Sequence, residues 1–89
     1  MSETVEIVMY STAWCPYCVR ARALLERKGL TIHEIKVDED PAERAAMLAR
    51  SGGRRTVPQI FVGDQHVGGF DELYALDKAG QLDVLTGRA

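Results

Sequence analysis

The sequence predicts one α/β domain over residues 1–89, a four-stranded mixed sheet flanked by three or four helices in the order β-α-β-α-β-β-α. Three observations lead there. The first 37 residues read strand, helix, strand, a βαβ unit whose two strands must run parallel through a right-handed crossover. The apolar runs Gln59–Val62 and Gln65–Val67 flank Gly63-Asp64, a two-residue turn with glycine first, which predicts an antiparallel hairpin. Finally, 89 residues with 46% hydrophobic content suit one small domain with a single core of a sheet plus a few helices.

Val5 to Tyr10 is apolar on both faces, as expected of a central strand. Ser11 to Trp14 forms the loop into the first helix, where Cys18, Ala21, Leu24 and Leu25 share one face and Gly29 is the natural stop. Leu30 to Val37 reads as the second strand. Its apolar phase slips between Ile32 and Ile35, which implies either a bulge or burial on both faces. Asp40-Pro41-Ala42-Glu43 is a helix start with N-cap, proline at N1 and acid at N3. In that helix Ala42, Ala45, Ala46 and Ala49 form a small-residue stripe suited to packing on the sheet, and Ser51-Gly52-Gly53 ends it. After the hairpin, Gly68-Gly69-Phe70-Asp71 opens a third helix with Leu73 and Leu76 inward and Gly80 at its end. Leu82 and Leu85 suggest one more helical turn.

The chemistry concentrates at Cys15-Pro16-Tyr17-Cys18, which holds the two cysteines of the chain. Spacing of i, i+3 at a helix start puts both sulfurs on one face, close enough for a disulfide. Pro16 fits the first turn, where its missing N–H costs nothing. Cys15 then lies at the helix N-terminus, where free N–H groups and the positive dipole end favour a thiolate, with pKa values of roughly 3.5–7.5 in such places. Cys18, one turn in, faces the sheet. A structural bridge closing so short a loop would stabilise little. A zinc site needs four ligands, and His33 and His66 are far apart and lack metal-ligand spacing. The pair reads as redox chemistry in which one sulfur attacks and the other resolves.

Eleven basic and thirteen acidic residues give a net charge of −2, which argues against nucleic acid and anionic membranes as partners. No apolar run approaches a membrane span, and Met1-Ser2-Glu3-Thr4 does not read as a signal peptide. The expected setting is the reducing cytoplasm, where a lone cysteine pair is more often catalytic than structural.

Cys15-Pro16-Tyr17-Cys18, Thr56-Val57-Pro58 and Gly68-Gly69 followed by Phe70-Asp71 together resemble the three signature segments of the glutaredoxin family, in order and across nearly the whole chain. The resemblance implies a thioredoxin-like fold, a cis Pro58 facing the cysteines, and a glutathione-dependent thiol–disulfide oxidoreductase with Cys15 and Cys18 as its redox-active pair. It also implies a glutathione site made of Tyr17, Arg55, Thr56, Val57, Pro58, Gly69, Phe70 and Asp71. Val57 would pair with the tripeptide backbone in the manner of an added strand. The start of the third helix would take the γ-glutamyl carboxylate, with Asp71 accepting from its ammonium. As an ordinary structural residue, Asp71 would be that helix's N-cap. Arg55 would meet the glycyl carboxylate.

Glutathione is thus expected as reducing co-substrate with no bound cofactor and no metal. Partners would be glutathionylated or disulfide-containing proteins and, indirectly, glutathione reductase and NADPH, with the chain acting as a monomer. Two departures stand out: Thr12 replaces a lysine frequent in the family, and Trp14 before the first cysteine is more a thioredoxin habit. They bear on electrostatic tuning and substrate preference, and Trp14 keeps open a redoxin reduced by a thioredoxin-reductase-type enzyme. The resemblance also leaves a glutathione-assisted 2Fe–2S carrier as an alternative, against which the proline directly after Cys15 weighs.

Overall fold

The computed structural model describes residues 5–87, so the segment Met1–Thr4, read above as lacking a signal peptide, lies outside the described residues. The strands are β1 (Ile7–Ser11), β2 (Ile32–Lys36), β3 (Gln59–Val62) and β4 (Gln65–Gly68). The helices are α1 (Pro16–Arg27), α2 (Pro41–Arg50), α3 (Phe70–Lys78) and α4 (Gln81–Leu85). The sheet order is β2-β1-β3-β4, with β1 parallel to β2 and antiparallel to β3, and β3 antiparallel to β4. This is the mixed sheet with four helices expected of the thioredoxin-like fold. Among the described residues no helix is long and apolar enough to cross a membrane.

All five residues of β1 are buried because the sheet carries a core on each face. On one face Ile7, Met9, Ile60 and Val62 pack with Cys18, Ala21, Leu24 and Leu25 of α1, Leu73 of α3 and Leu82 of α4. On the other, Val8, Tyr10 and Phe61 pack with Val37 and Met47. The β1–β2 ladder runs in regular register from Ile7↔Ile32 to Ser11↔Lys36, so β2 contains no bulge. Ile32 joins the first core and Ile35 the second, which resolves the phase slip as burial on both faces.

The hairpin forms at Gly63-Asp64, and Gly63 takes the positive φ of 59° that this turn demands of its first residue. The irregularity falls in β4 instead: Ile60 pairs with Gly68 but Phe61 with His66, leaving Val67 as the extra residue of a bulge.

The alanine stripe of α2 is corrected. Ala42, Ala45 and Ala49 are exposed, and Met47 is the buried residue that seats the helix on the sheet. Arg50, on the same side, lays its guanidinium 4.2 Å from the Phe61 ring centroid and donates to the Tyr10 hydroxyl at 3.0 Å. A methionine fills the space above Phe61 as alanines cannot.

Helix α1 ends as its sequence demands. Gly29 N–H bonds to Glu26 C=O and Leu30 N–H to Leu25 C=O, the paired bonds of a Schellman cap. Lys28 then reaches Asp77 of α3 at 2.7 Å and Asp83 of α4 at 3.0 Å, tying three helices together at the end far from the cysteines.

Candidate active site

Strand β1, central in the sheet, ends at Ser11, and a short loop leads to α1, which begins at Pro16. Cys15 is the N-cap of α1, and its sulfur accepts from the Cys18 N–H at 3.0 Å. No acidic residue occupies the first turn of α1, so nothing there opposes negative charge on that sulfur. The two cysteines are joined as a disulfide with Cα atoms 5.2 Å apart. Cys15 is 8% exposed and Cys18 1%, so one sulfur is the point of entry and the other lies in the core.

Two depressions lie close to Cys15, which itself lines the second of them. On one side is a cleft of about 290 Å³ lined by Tyr17, Arg54, Thr56, Val57, Pro58, Gly69, Phe70, Asp71 and Glu72. The Cys15 sulfur lies 3.7 Å from the Val57 carbonyl oxygen in the wall of this cleft. Oxidised sulfur carries no proton, so this is a packing contact rather than a hydrogen bond. On the other side Ala13, Trp14, Pro16 and Val19 surround Cys15. There Trp14 is 95% exposed. A further cavity lies between the start of β1, residues 29–33 and Thr86, at the far end of β1 from the disulfide.

The structure brings together Tyr17, Thr56, Val57, Pro58, Gly69, Phe70 and Asp71 around the cleft, and the Val57–Pro58 peptide is cis. Tyr17 lies over Phe70 with ring centroids 6.2 Å apart, closing one side. Arg55 is exposed and does not line the cleft; its neighbour Arg54 does. Neighbouring residues on an extended loop point to opposite sides, which sequence alone cannot phase.

Asp71 is not the N-cap of α3. Gly69 is, and Asp71 stands exposed at the second helical position. Glu72 serves the cap instead, its carboxylate accepting from the Gly69 N–H at 2.6 Å and lying 3.7 Å from the Arg54 guanidinium. Gly68 has φ 115°, and a Cβ there would meet the Glu72 carboxylate at 2.8 Å, so only glycine allows this folded-back acid. Arg54 and Glu72 are the cleft residues that motif reading missed. The capping-box spacing of Glu72 behind Gly69 was the available signal.

Beneath the Thr56–Pro58 loop, Gln59 is fully buried and hydrogen-bonded to Thr56 and His66. His66 is held below its usual pKa by burial first and then by Arg54 and Arg50, with Glu72 opposing.

Comparison with known proteins adds to this geometry. The family model described as Glutaredoxin matches residues 7–67. The chain is 57% identical over 79 residues to a glutaredoxin of Pseudomonas aeruginosa, covering 89% of this chain and 93% of that protein. It is 52% identical over 79 residues to glutaredoxin 3 of Escherichia coli K12, covering 89% and 94%. The solution structure of glutaredoxin from Brucella melitensis superposes with TM-score 0.84 at 49% identity, covering 98% of this chain and 94% of that one. A buckwheat glutaredoxin–glutathione complex superposes with TM-score 0.84 at 31% identity, covering 93% and 77%.

Proposed function

Since the chain belongs to the glutaredoxin family and is a thiol–disulfide oxidoreductase with Cys15 and Cys18 as its dithiol, we propose that glutathione is its reductant and that glutathione mixed disulfides and protein disulfides are its substrates. The observation that carries this is the Cys15 sulfur at the junction with a cleft whose wall is the Val57 backbone and whose end is the α3 N-terminus. Glutathione is an extended tripeptide with a carboxylate at each end and one ammonium. Peptide edge, free helical N–H groups, Asp71 and Arg54 match those groups in kind. The buckwheat relative, solved with glutathione, supports the same assignment.

The chemistry is two thiol–disulfide exchanges. The Cys15 thiolate attacks the glutathionyl sulfur of a mixed disulfide, forming Cys15–S–S–glutathione and expelling the substrate thiolate. A second glutathione thiolate attacks the glutathionyl sulfur, releasing glutathione disulfide and restoring the Cys15 thiolate. With a protein disulfide, Cys15 forms the mixed disulfide with the protein, and Cys18 attacks the Cys15 sulfur. That expels the reduced protein and leaves the Cys15–Cys18 bond, which two glutathiones reduce. Glutathione reductase and NADPH would recycle the glutathione disulfide. We assign the reaction to a monomer in the cytosol, where conditions keep such a pair turning over.

The test is reduction of a small glutathione mixed disulfide coupled either to glutathione and glutathione reductase or to thioredoxin reductase. Turnover is expected only in the first system. Turnover only in the second would overturn the assignment of glutathione.

A further inference from the structure

We propose that Gln59, held by His66, is a positioning residue that sets the direction of the Val57 N–H in the glutathione cleft. Gln59 follows Pro58 as the first residue of β3, and its side chain is 0% exposed. Its amide nitrogen donates to the Thr56 carbonyl at 2.9 Å and the Thr56 hydroxyl at 3.1 Å. Its amide oxygen lies 2.7 Å from His66 Nε2.

The orientation of this chain of bonds follows from one acceptor. A carbonyl cannot donate, so the group facing Thr56 O must be the NH₂ of Gln59. The Gln59 oxygen therefore faces His66, and His66 must carry its proton on Nε2 to donate there. The ring is fixed in that pose by Phe61, on which it stacks with centroids 4.8 Å apart. The Arg50 guanidinium, 4.2 Å from the same Phe61 ring, holds the stack in place.

The consequence reaches the cleft through one peptide plane. The Thr56 C=O and the Val57 N–H belong to the same trans peptide unit, and in such a unit the two point in opposite directions. Drawing the Thr56 oxygen inward to Gln59 turns the Val57 N–H away from the core and toward the cleft that Val57 lines. Among the described residues that N–H meets no backbone acceptor, which leaves it for an incoming peptide. Gln59 touches no reacting atom; it acts through Thr56.

The proposal rests on the reading of the Val57 edge as the glutathione contact. The test is steady-state kinetics with a small glutathione mixed disulfide, alkylation rates of reduced Cys15, and thermal melts. Gln59→Leu removes both bonds to Thr56 and is expected to raise the KM about three- to tenfold, with kcat and the alkylation rate little changed. Gln59→Glu keeps the volume but opposes an acceptor to Thr56 O, and should raise the KM at least as much. His66→Phe keeps the ring on Phe61, removes the donor, and should raise the KM more weakly.

A KM unmoved in Gln59→Leu, while Asp71→Asn raises it, would overturn the positioning role and leave the glutathione site standing. If neither variant moves the KM, the glutathione reading fails and the proposal with it. Should Gln59→Leu not fold, ¹⁵N NMR of the unaltered protein decides. Neutral His66 is expected as the Nε2–H tautomer, and the Nδ1–H form overturns the proposal.

Discussion

The backbone N–H of Cys18 points at the Cys15 sulfur from 3.0 Å, so the second cysteine supports the first through its main chain and not through its thiol. Cys18→Ser should therefore leave the Cys15 thiolate supported. It is expected to retain turnover of small glutathione mixed disulfides and to lose most reduction of protein disulfides, because the resolving sulfur is gone. Cys15→Ser should abolish both. A Cys18→Ser protein as inactive as Cys15→Ser on a glutathionylated substrate would show that the two sulfurs do not divide the work.

Asp71 and Arg54 should affect binding without touching the attack. A charge-assisted hydrogen bond is worth about 1.5–3 kcal/mol, but Asp71 is exposed, so Asp71→Ala should raise the KM for a glutathione mixed disulfide by about tenfold, the lower end of that range. Arg54→Ala should raise it by about two- to fivefold, an effect that salt erodes. Arg55→Ala, outside the cleft, should do less. Equal effects of the two arginines would mean that Arg54 gains nothing from its place in the wall.

The disulfide has a second, apolar neighbour in Trp14, which is 95% exposed beside Cys15. Exposed tryptophans at the centre of an interface often carry about 1–2 kcal/mol or more. Trp14→Ala should lower kcat/KM for a protein disulfide by about five- to thirtyfold. Turnover of a small mixed disulfide should stay nearly unchanged. If both substrates slow alike, Trp14 supports the active-site loop rather than the partner.

Acid should weaken the protein through Glu34. Its carboxylate receives two bonds from Arg22, at 2.8 and 2.7 Å, and one from the buried Ser11 hydroxyl. The Arg22 hydrogen bonds hold its pKa below the ordinary value of 4.5, against the opposing effect of burial. A depressed folded-state pKa contributes stability that is complete above the unfolded value and is lost as pH falls through the folded one. Glu34→Gln should therefore melt lower than the unaltered protein at pH 7, and the gap should close as pH falls below about 4.5. Melting curves across that range check it; a gap independent of pH would exclude the ionised carboxylate as its source.

Much of this was legible because it is local. The i, i+3 cysteines, the proline at N1, the glycine-first hairpin turn and the Asp40 cap each act within a few residues. What escaped the sequence depends on contacts across the fold. On α2 the four alanines read as the inward stripe, and only the space above Phe61 selects Met47 in their place. Arg54 and Arg55 are equivalent until the loop direction is known. Gln59 and His66 lie on two strands of the bulged hairpin, and His66 had no visible role until its stack on Phe61 and its bond to Gln59 came together. The extra residue Val67 had no sequence mark, because Gly68 alone suits the bulge and the helix start equally.

The two outer strands of the sheet have a consequence for how the molecule meets other chains. On β2, His33 and Lys36 are exposed and Glu34 is ionised and paired; β4 has only four residues and is buckled at Val67. Charge on one border and a short, bent ladder on the other both discourage edge-to-edge aggregation. An extended stranger gains little by adding to either side. Among the described residues the Val57 N–H meets no backbone acceptor, so that edge has no such guard, and the Val57 carbonyl lies 3.7 Å from the Cys15 sulfur. A visiting strand that finds a hydrogen-bonding berth on this protein is thereby delivered to the bond that can be exchanged.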